Sequence, residues 1–220
     1  MILPLKDNIP SRRFPFWTYA IIITCVLIFL YELILPDPDR DIFIYKNGFV
    51  ASEFIRDPIG RLPTFITSIF IHGGWAHLIF NMLYLHIFGD NVEDVLGFFW
   101  FPVFFISAGI AGTIVESFFH LNSNVPMIGA SGAISGVMGF YFILYPFSRI
   151  NTLVFYLFFW DIVPIPAFIF LGFWVISQFF NSLLSLGTQF TNIAFLAHLG
   201  GFIFGAICAK FYLKKKYHFF

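Results

Sequence analysis

Apolar runs of about twenty residues recur along this chain, and they decide its fold class before any motif is read. A hydrocarbon core of ~30 Å is crossed by about 20 apolar residues of helix rising ~1.5 Å each, with every backbone polar group satisfied internally. Six such stretches are predicted, at 16–35, 74–92, 97–119, 126–147, 164–186 and 193–213. Of 220 residues, 59% are hydrophobic and 35 are Phe, more apolar surface than a soluble domain can hide. The expected fold class is an all-α integral membrane protein, a bundle of six helices with a long outer loop between the first two. Residues 1–15 are expected to form a cytoplasmic N-terminal segment, 16–213 the membrane domain and 214–220 a basic cytoplasmic tail. No small-residue cleavage site precedes the first apolar run, so that run reads as a retained span.

Net charge is zero, and no basic stripe with interleaved aromatics suggests nucleic acid as a partner. The positions of the charges say more. With both termini inside, Lys6, Arg12, Arg13, Arg149, Lys210, Lys214, Lys215 and Lys216 are cytoplasmic, and only Arg40, Lys46, Arg56 and Arg61 lie outside. This is the bias that the positive-inside rule expects, and the expected setting is a prokaryote-like plasma membrane with both termini cytoplasmic. Segment 150–163, "INTLVFYLFFWDIV", is too short to span and carries Asp161, so it is expected in the cytoplasmic interface. Loop 36–73 is expected to fold partly onto the outer membrane surface. Cys25 and Cys208 fall within spans and read as packed free thiols.

Three stretches carry polar groups where lipid-spanning helices rarely do. In "GASGAISGVMG", Gly129, Gly132, Gly136 and Gly139 fall in one arc of a helical wheel, with Ser131 and Ser135 at its border. Such a stripe brings helix backbones together, and serines beside it commonly bond back to their own helix. In "HGGWAHLIFNMLYLHIFGDNVED", His77, Asn81 and Tyr84 share a face, while His72 precedes the helix. In "AHLGGFIFG", His198 stands on a close-packing stripe with Gly201 and Gly205.

Counted from the outer boundaries, Ser131, His198, His77 and Asn81 all lie roughly 5 to 12 Å deep. Each alone is well explained as a satisfied interior group, but their agreement in depth points to a site. A serine hydroxyl needs a base, and neutral imidazole suits that task near neutral pH. Ser131 and His198 form the candidate pair, with Asn81, His77 and the Ser131 N–H as candidate oxyanion donors. No carboxylate has an evident claim to orient His198: Glu32 and Glu116 are placed nearer the surface and Asp161 on the other side. The inferred unit is a Ser-His dyad. "HGGWAH" lacks the spacing and the acid of a metalloprotease, so no metal or other cofactor is expected. Aspartyl catalysis is disfavoured because Asp90 and Asp161 fall at the cytoplasmic boundary.

The sequence resembles the rhomboid intramembrane serine proteases over roughly 64–206, through "HGGWAHLIFNMLYLHIFGDNVEDVLG", "GASGAISGVMG" and "AHLGGFIFG" in that order. The resemblance implies a six-helix core in which Ser131, in a G-x-S-G setting from Gly129 to Gly132, is the nucleophile and His198 the base. It implies that Asn81, His77 and the Ser131 amide stabilise the oxyanion, and that Glu93 is a structural acid after the second span. It further implies transmembrane protein substrates in the lipid bilayer, cut near their outer ends at a helix-destabilising segment, with loop 185–192 and the fifth helix as the gate. Segment 36–73 departs from the family in lacking the Trp of a Trp-Arg pair, and Ser135 stands where some members carry an aromatic that stacks on the histidine. A catalytically inactive rhomboid-like client-binding protein is the alternative. A transporter fits less well, because its polar groups would run through both leaflets.

Overall fold

The computed structural model describes residues 2–156, 159–185 and 194–217. Helix α1 (Phe16–Ile34) is followed by four short helices, α2 (Asp37–Asn47), α3 (Ala51–Arg56), α4 (Pro58–Arg61) and α5 (Thr64–Phe70). The long helix α6 (Trp75–Phe119), α7 (Ser131–Leu144), α8 (Ala167–Ser185) and α9 (Phe195–Tyr217) complete the helical set. Among the described residues, α1, α6, α8 and α9 are long and apolar enough to cross a membrane. The expected second span runs on through "VEDVL" to Gly97, where φ is 77° and the next stretch of helix begins. Forty-five residues of unbroken helix would run ~68 Å, more than twice a hydrocarbon core, so this single left-handed residue is where the chain can fold back.

The expected span 126–147 is also revised. Its helix runs only from Ser131 to Leu144, ~21 Å, because Met127 is taken by a backbone bridge to Phe49. Every residue from Gly132 to Tyr141 is buried, the mark of a helix wrapped by protein. Helix α9, conversely, runs past the expected boundary at 213 through Lys214, Lys215 and Lys216 to Tyr217.

An all-α chain is not what forms. Strands β1 (Ile2–Asp7), β2 (Arg149–Tyr156) and β3 (Phe159–Pro166) make an antiparallel sheet in the order β1-β2-β3. Residues 150–156 and 159–163 of the expected interfacial segment and the start of the expected fifth span thus pair as strands, with Asn151 opposite Lys6 and Pro164. Pro164 and Pro166, which cannot donate to a ladder, sit on the edge strand. Strand β1 is pinned to the core by Asp7, whose carboxylate accepts from the Tyr141 hydroxyl and, at 3.1 Å, from Asn91 Nδ2.

Without a tryptophan, loop 36–73 is held by pairing. Phe49 and Met127 exchange backbone hydrogen bonds of 3.0 and 2.7 Å, and Ser52 Oγ donates to Asn124 Oδ1 at 2.7 Å. Arg61 stacks over Tyr45 and lies 3.5 Å from Glu53. These contacts fix the segment that leads into Ser131. Glu93 accepts from the N–H groups of Trp17 and Thr18 and from the Thr18 hydroxyl, each at 2.8 Å, tying α6 to the first turn of α1.

Candidate active site

Three helix N-termini converge on one place. Ser131 is the first residue of α7, His198 lies in the first turn of α9, and His77 and Asn81 lie in the first two turns of α6. Gly129 does not belong to the glycine stripe of α7, since it sits before the helix with φ 110°. Its N–H donates to Ser68 O at 2.9 Å, and a Cβ there would come within 2.5 Å of His77 Nε2. Only glycine fits that turn on both counts.

The remaining stripe brings α7 and α9 to backbone contact. A Cβ on Gly201 would lie 2.0 Å from Gly132 O, and one on Gly205 would lie 1.9 Å from Gly136 O. Glu116 fixes the start of α9, accepting the Ala197 N–H at 3.0 Å beside His120. It therefore lies closer to the His198 turn than its sequence position suggested.

This packing sets Ser131 Oγ 2.8 Å from His198 Nε2. The other ring nitrogen, Nδ1, lies 2.8 Å from Gln178 Oε1 on α8. Gln178 was missed in the sequence. The available signal was that Trp174 and Gln178 occupy one face of α8 at i and i+4. Asn81 is buried, and its Nδ2 has no hydrogen-bond partner among the described residues. A cavity of about 240 Å³ is lined by Asn81, Tyr84, Ser131, Met138, Trp174 and His198. On its other side Ser131 borders a smaller space of about 30 Å³ beside Ser68, Gly109 and Ala197. A donor without an acceptor, beside a hydroxyl bonded to an imidazole, is an arrangement able to activate an oxygen and to receive a developing negative charge.

A family model described as the Rhomboid domain matches residues 60–215. The chain belongs to the rhomboid family. It is 30% identical over 197 residues to the mitochondrial RHOMBOID-like protein 12 of Arabidopsis thaliana, covering 80% of this chain and 54% of that protein. To the putative rhomboid protease YdcA of Bacillus subtilis it is 27% identical over 203 residues, 90% of this chain and 91% of the relative. The rhomboid protease GluP of Bacillus subtilis is 35% identical over 126 residues, 57% of this chain and 24% of that protein. The chain spans about half the length of RHOMBOID-like protein 12 and of the mitochondrial Rhomboid protein 1 of Saccharomyces cerevisiae. With these relatives and its long apolar helices, this rhomboid is a multi-pass membrane protein.

In this rhomboid Ser135 Oγ donates back to Ser131 O at 2.6 Å, so it serves its own helix. The ring beside His198 is supplied from α8 by Trp174, at 5.9 Å between centroids and 35° between planes, with Phe195 edge-on at 6.2 Å. His77 packs on Gly129 and lies 5.1 Å from the His72 ring, adjoining the turn before Ser131. Residues 186–193, which include most of the expected gate, lie outside the described residues.

Proposed function

We propose that this rhomboid is an intramembrane serine endopeptidase working through a Ser131–His198 dyad. The observation that carries the reading is the 2.8 Å contact between Ser131 Oγ and His198 Nε2, made inside a membrane helix bundle whose relatives include named rhomboid proteases. His198 Nε2 takes the hydroxyl proton as Ser131 Oγ attacks the scissile carbonyl carbon. The carbonyl oxygen becomes an oxyanion within reach of Asn81 Nδ2, with His77 and the first-turn N–H of Ser131 as further donors. The tetrahedral intermediate collapses by breaking the C–N bond, and the imidazolium gives its proton to the leaving amine. Water then enters, His198 takes its proton, and hydrolysis of the ester returns Ser131.

Substrates are transmembrane segments whose helix opens near its outer end, because a helical peptide bond has its carbonyl hydrogen-bonded and cannot enter such a site. In this reading the chain crosses six times, with α6 counted twice about Gly97 and α7 threaded through the centre, so that both termini share one side, taken as the cytoplasm, and the dyad lies toward the other. That eight of the twelve Lys and Arg fall on the side of the termini supports this orientation, and the membrane proposed is a plasma membrane.

The test is covalent labelling of the purified protein by a fluorophosphonate, with cleavage of a reporter transmembrane substrate followed in parallel. Labelling at Ser131, abolished with cleavage in Ser131→Ala and His198→Ala and retained in Ser135→Ala, is the expected result. A folded protein that never reacts at Ser131 overturns the reading in favour of a client-binding rhomboid.

A further inference from the structure

A dyad has no third residue by definition, yet His198 Nδ1 is engaged. We infer that Gln178 is a positioning residue that selects the His198 tautomer: its Oε1 accepts the Nδ1 proton and so leaves the Nε2 lone pair facing the Ser131 hydroxyl. The inference rests on the dyad reading above and adds to it a residue outside the motifs that carry the family resemblance.

The hydrogen-bond network around the amide decides which way it points. Gln178 Nε2 lies 3.2 Å from Ser177 Oγ, and that hydroxyl donates its one proton to Trp174 O at 2.6 Å. Ser177 Oγ can then only accept, so the amide turns its NH₂ to Ser177 and its oxygen to His198. Reversed, the amide would set two acceptors against each other at Ser177 and push a donor at Nδ1. Nδ1 would have to be the bare nitrogen, and Nε2–H would meet the Ser131 hydroxyl, a tautomer unable to take its proton. The backbone of Gln178 is held too, since Ser182 Oγ donates to its carbonyl at 2.7 Å.

Position and chemistry agree. Gln178 is buried on α8, one turn beyond Trp174, whose indole lies against the same imidazole. A single helix face thereby supplies both a stacking surface and an acceptor for His198. The amide accepts the Nδ1 proton through its oxygen while its own NH₂ is taken up by Ser177. It orients the base in both of its protonation states, because the Nδ1 proton stays in place throughout.

The experiment compares wild type, Gln178→Leu, which removes the acceptor at similar volume, and Gln178→Glu, which restores an acceptor oxygen. The rate of fluorophosphonate labelling at Ser131 reads nucleophile activation without transmembrane substrate entry, and ¹⁵N resonances of the His198 ring, assigned by their loss in His198→Ala, read the tautomer. Gln178→Leu is expected to slow labelling about 10- to 100-fold, by analogy with the cost of removing the partner that orients a metal-bound histidine. Its ring is expected to show mixed tautomers, whereas wild type shows Nδ1–H alone. Gln178→Glu is expected to recover most of the rate. In a Ser131→Ala background, binding of an uncleaved reporter is expected to be the same with and without the Gln178→Leu change. Labelling of wild type matched by Gln178→Leu overturns this inference and leaves the dyad standing. Equal loss in the Leu and Glu variants marks Gln178 as a packing residue and also overturns it. Wild type that does not label at all removes the dyad and this inference together.

Discussion

Replacing Gly201 by alanine tests the claim that backbone contact between α7 and α9 sets the catalytic distance. The added Cβ would sit 2.0 Å from Gly132 O, whereas ordinary contact begins at 3.4 Å, a shortfall of about 1.4 Å. Neither obstacle is a flexible side chain: the next atoms met are Gly132 C at 3.0 Å and Gly136 N at 3.4 Å. The helices must therefore separate by about 1 Å at Gly201, three residues from His198. A 2.8 Å contact between Ser131 Oγ and His198 Nε2 stretched by that amount is no longer a hydrogen bond. A misplacement of ~1 Å costs on the order of 10²-fold in rate, and overpacking of this kind costs about 1–3 kcal/mol in stability. Fluorophosphonate labelling and thermal unfolding in detergent would read both. The matched control is Gly172→Ala on α8, where a Cβ meets nothing within 4 Å and no loss is expected. Wild-type labelling by a folded Gly201→Ala protein would refute the reasoning, since the dyad would then not depend on how closely α7 and α9 approach.

Asn81→Ala is expected to lower turnover by ~10²–10³ with little change in binding of uncleaved substrate, the signature of a donor that acts as the oxyanion forms; equal losses in both would make Asn81 a packing residue. Ser131→Cys, with Cys25 and Cys208 replaced, is expected to react with a membrane-impermeant thiol reagent on intact cells and to be protected in inside-out vesicles; the reverse pattern would invert the orientation. Burial raises the Asp7 carboxyl above its ordinary value of 3.8, against the opposing hydrogen bond from Tyr141. The folded state thus favours protonated Asp7, a contribution present in full below pH 3.8 and lost as pH rises through the raised value. Asp7→Asn keeps an acceptor for Tyr141 and Asn91, so its melting temperature is expected to exceed wild type near neutral pH and to converge with it toward pH 4. A difference that does not change with pH would show that the carboxyl does not titrate differently on folding.

What the sequence determined by itself is what one helix can express. Apolar length announced the membrane, and the 3.6-residue period set His77 with Asn81 and His198 with Gly201 and Gly205. Those relations hold within a few residues of chain, where helix geometry alone fixes which side chains share a face. The relations between elements came only from the tertiary structure. Strand β1 finds β2 across more than a hundred residues, and nothing in "ILPLKD" names its partner. Gly97 and Gly129 look like other glycines until their positive φ shows a break and a turn. Gln178 meets His198 because α8 packs with that one face toward α9, and the register between two helices is set by side-chain packing along both. Ser131 and His198 were legible as candidates, but their 2.8 Å contact is the product of glycines on two helices that let the backbones close, a distance no local pattern encodes.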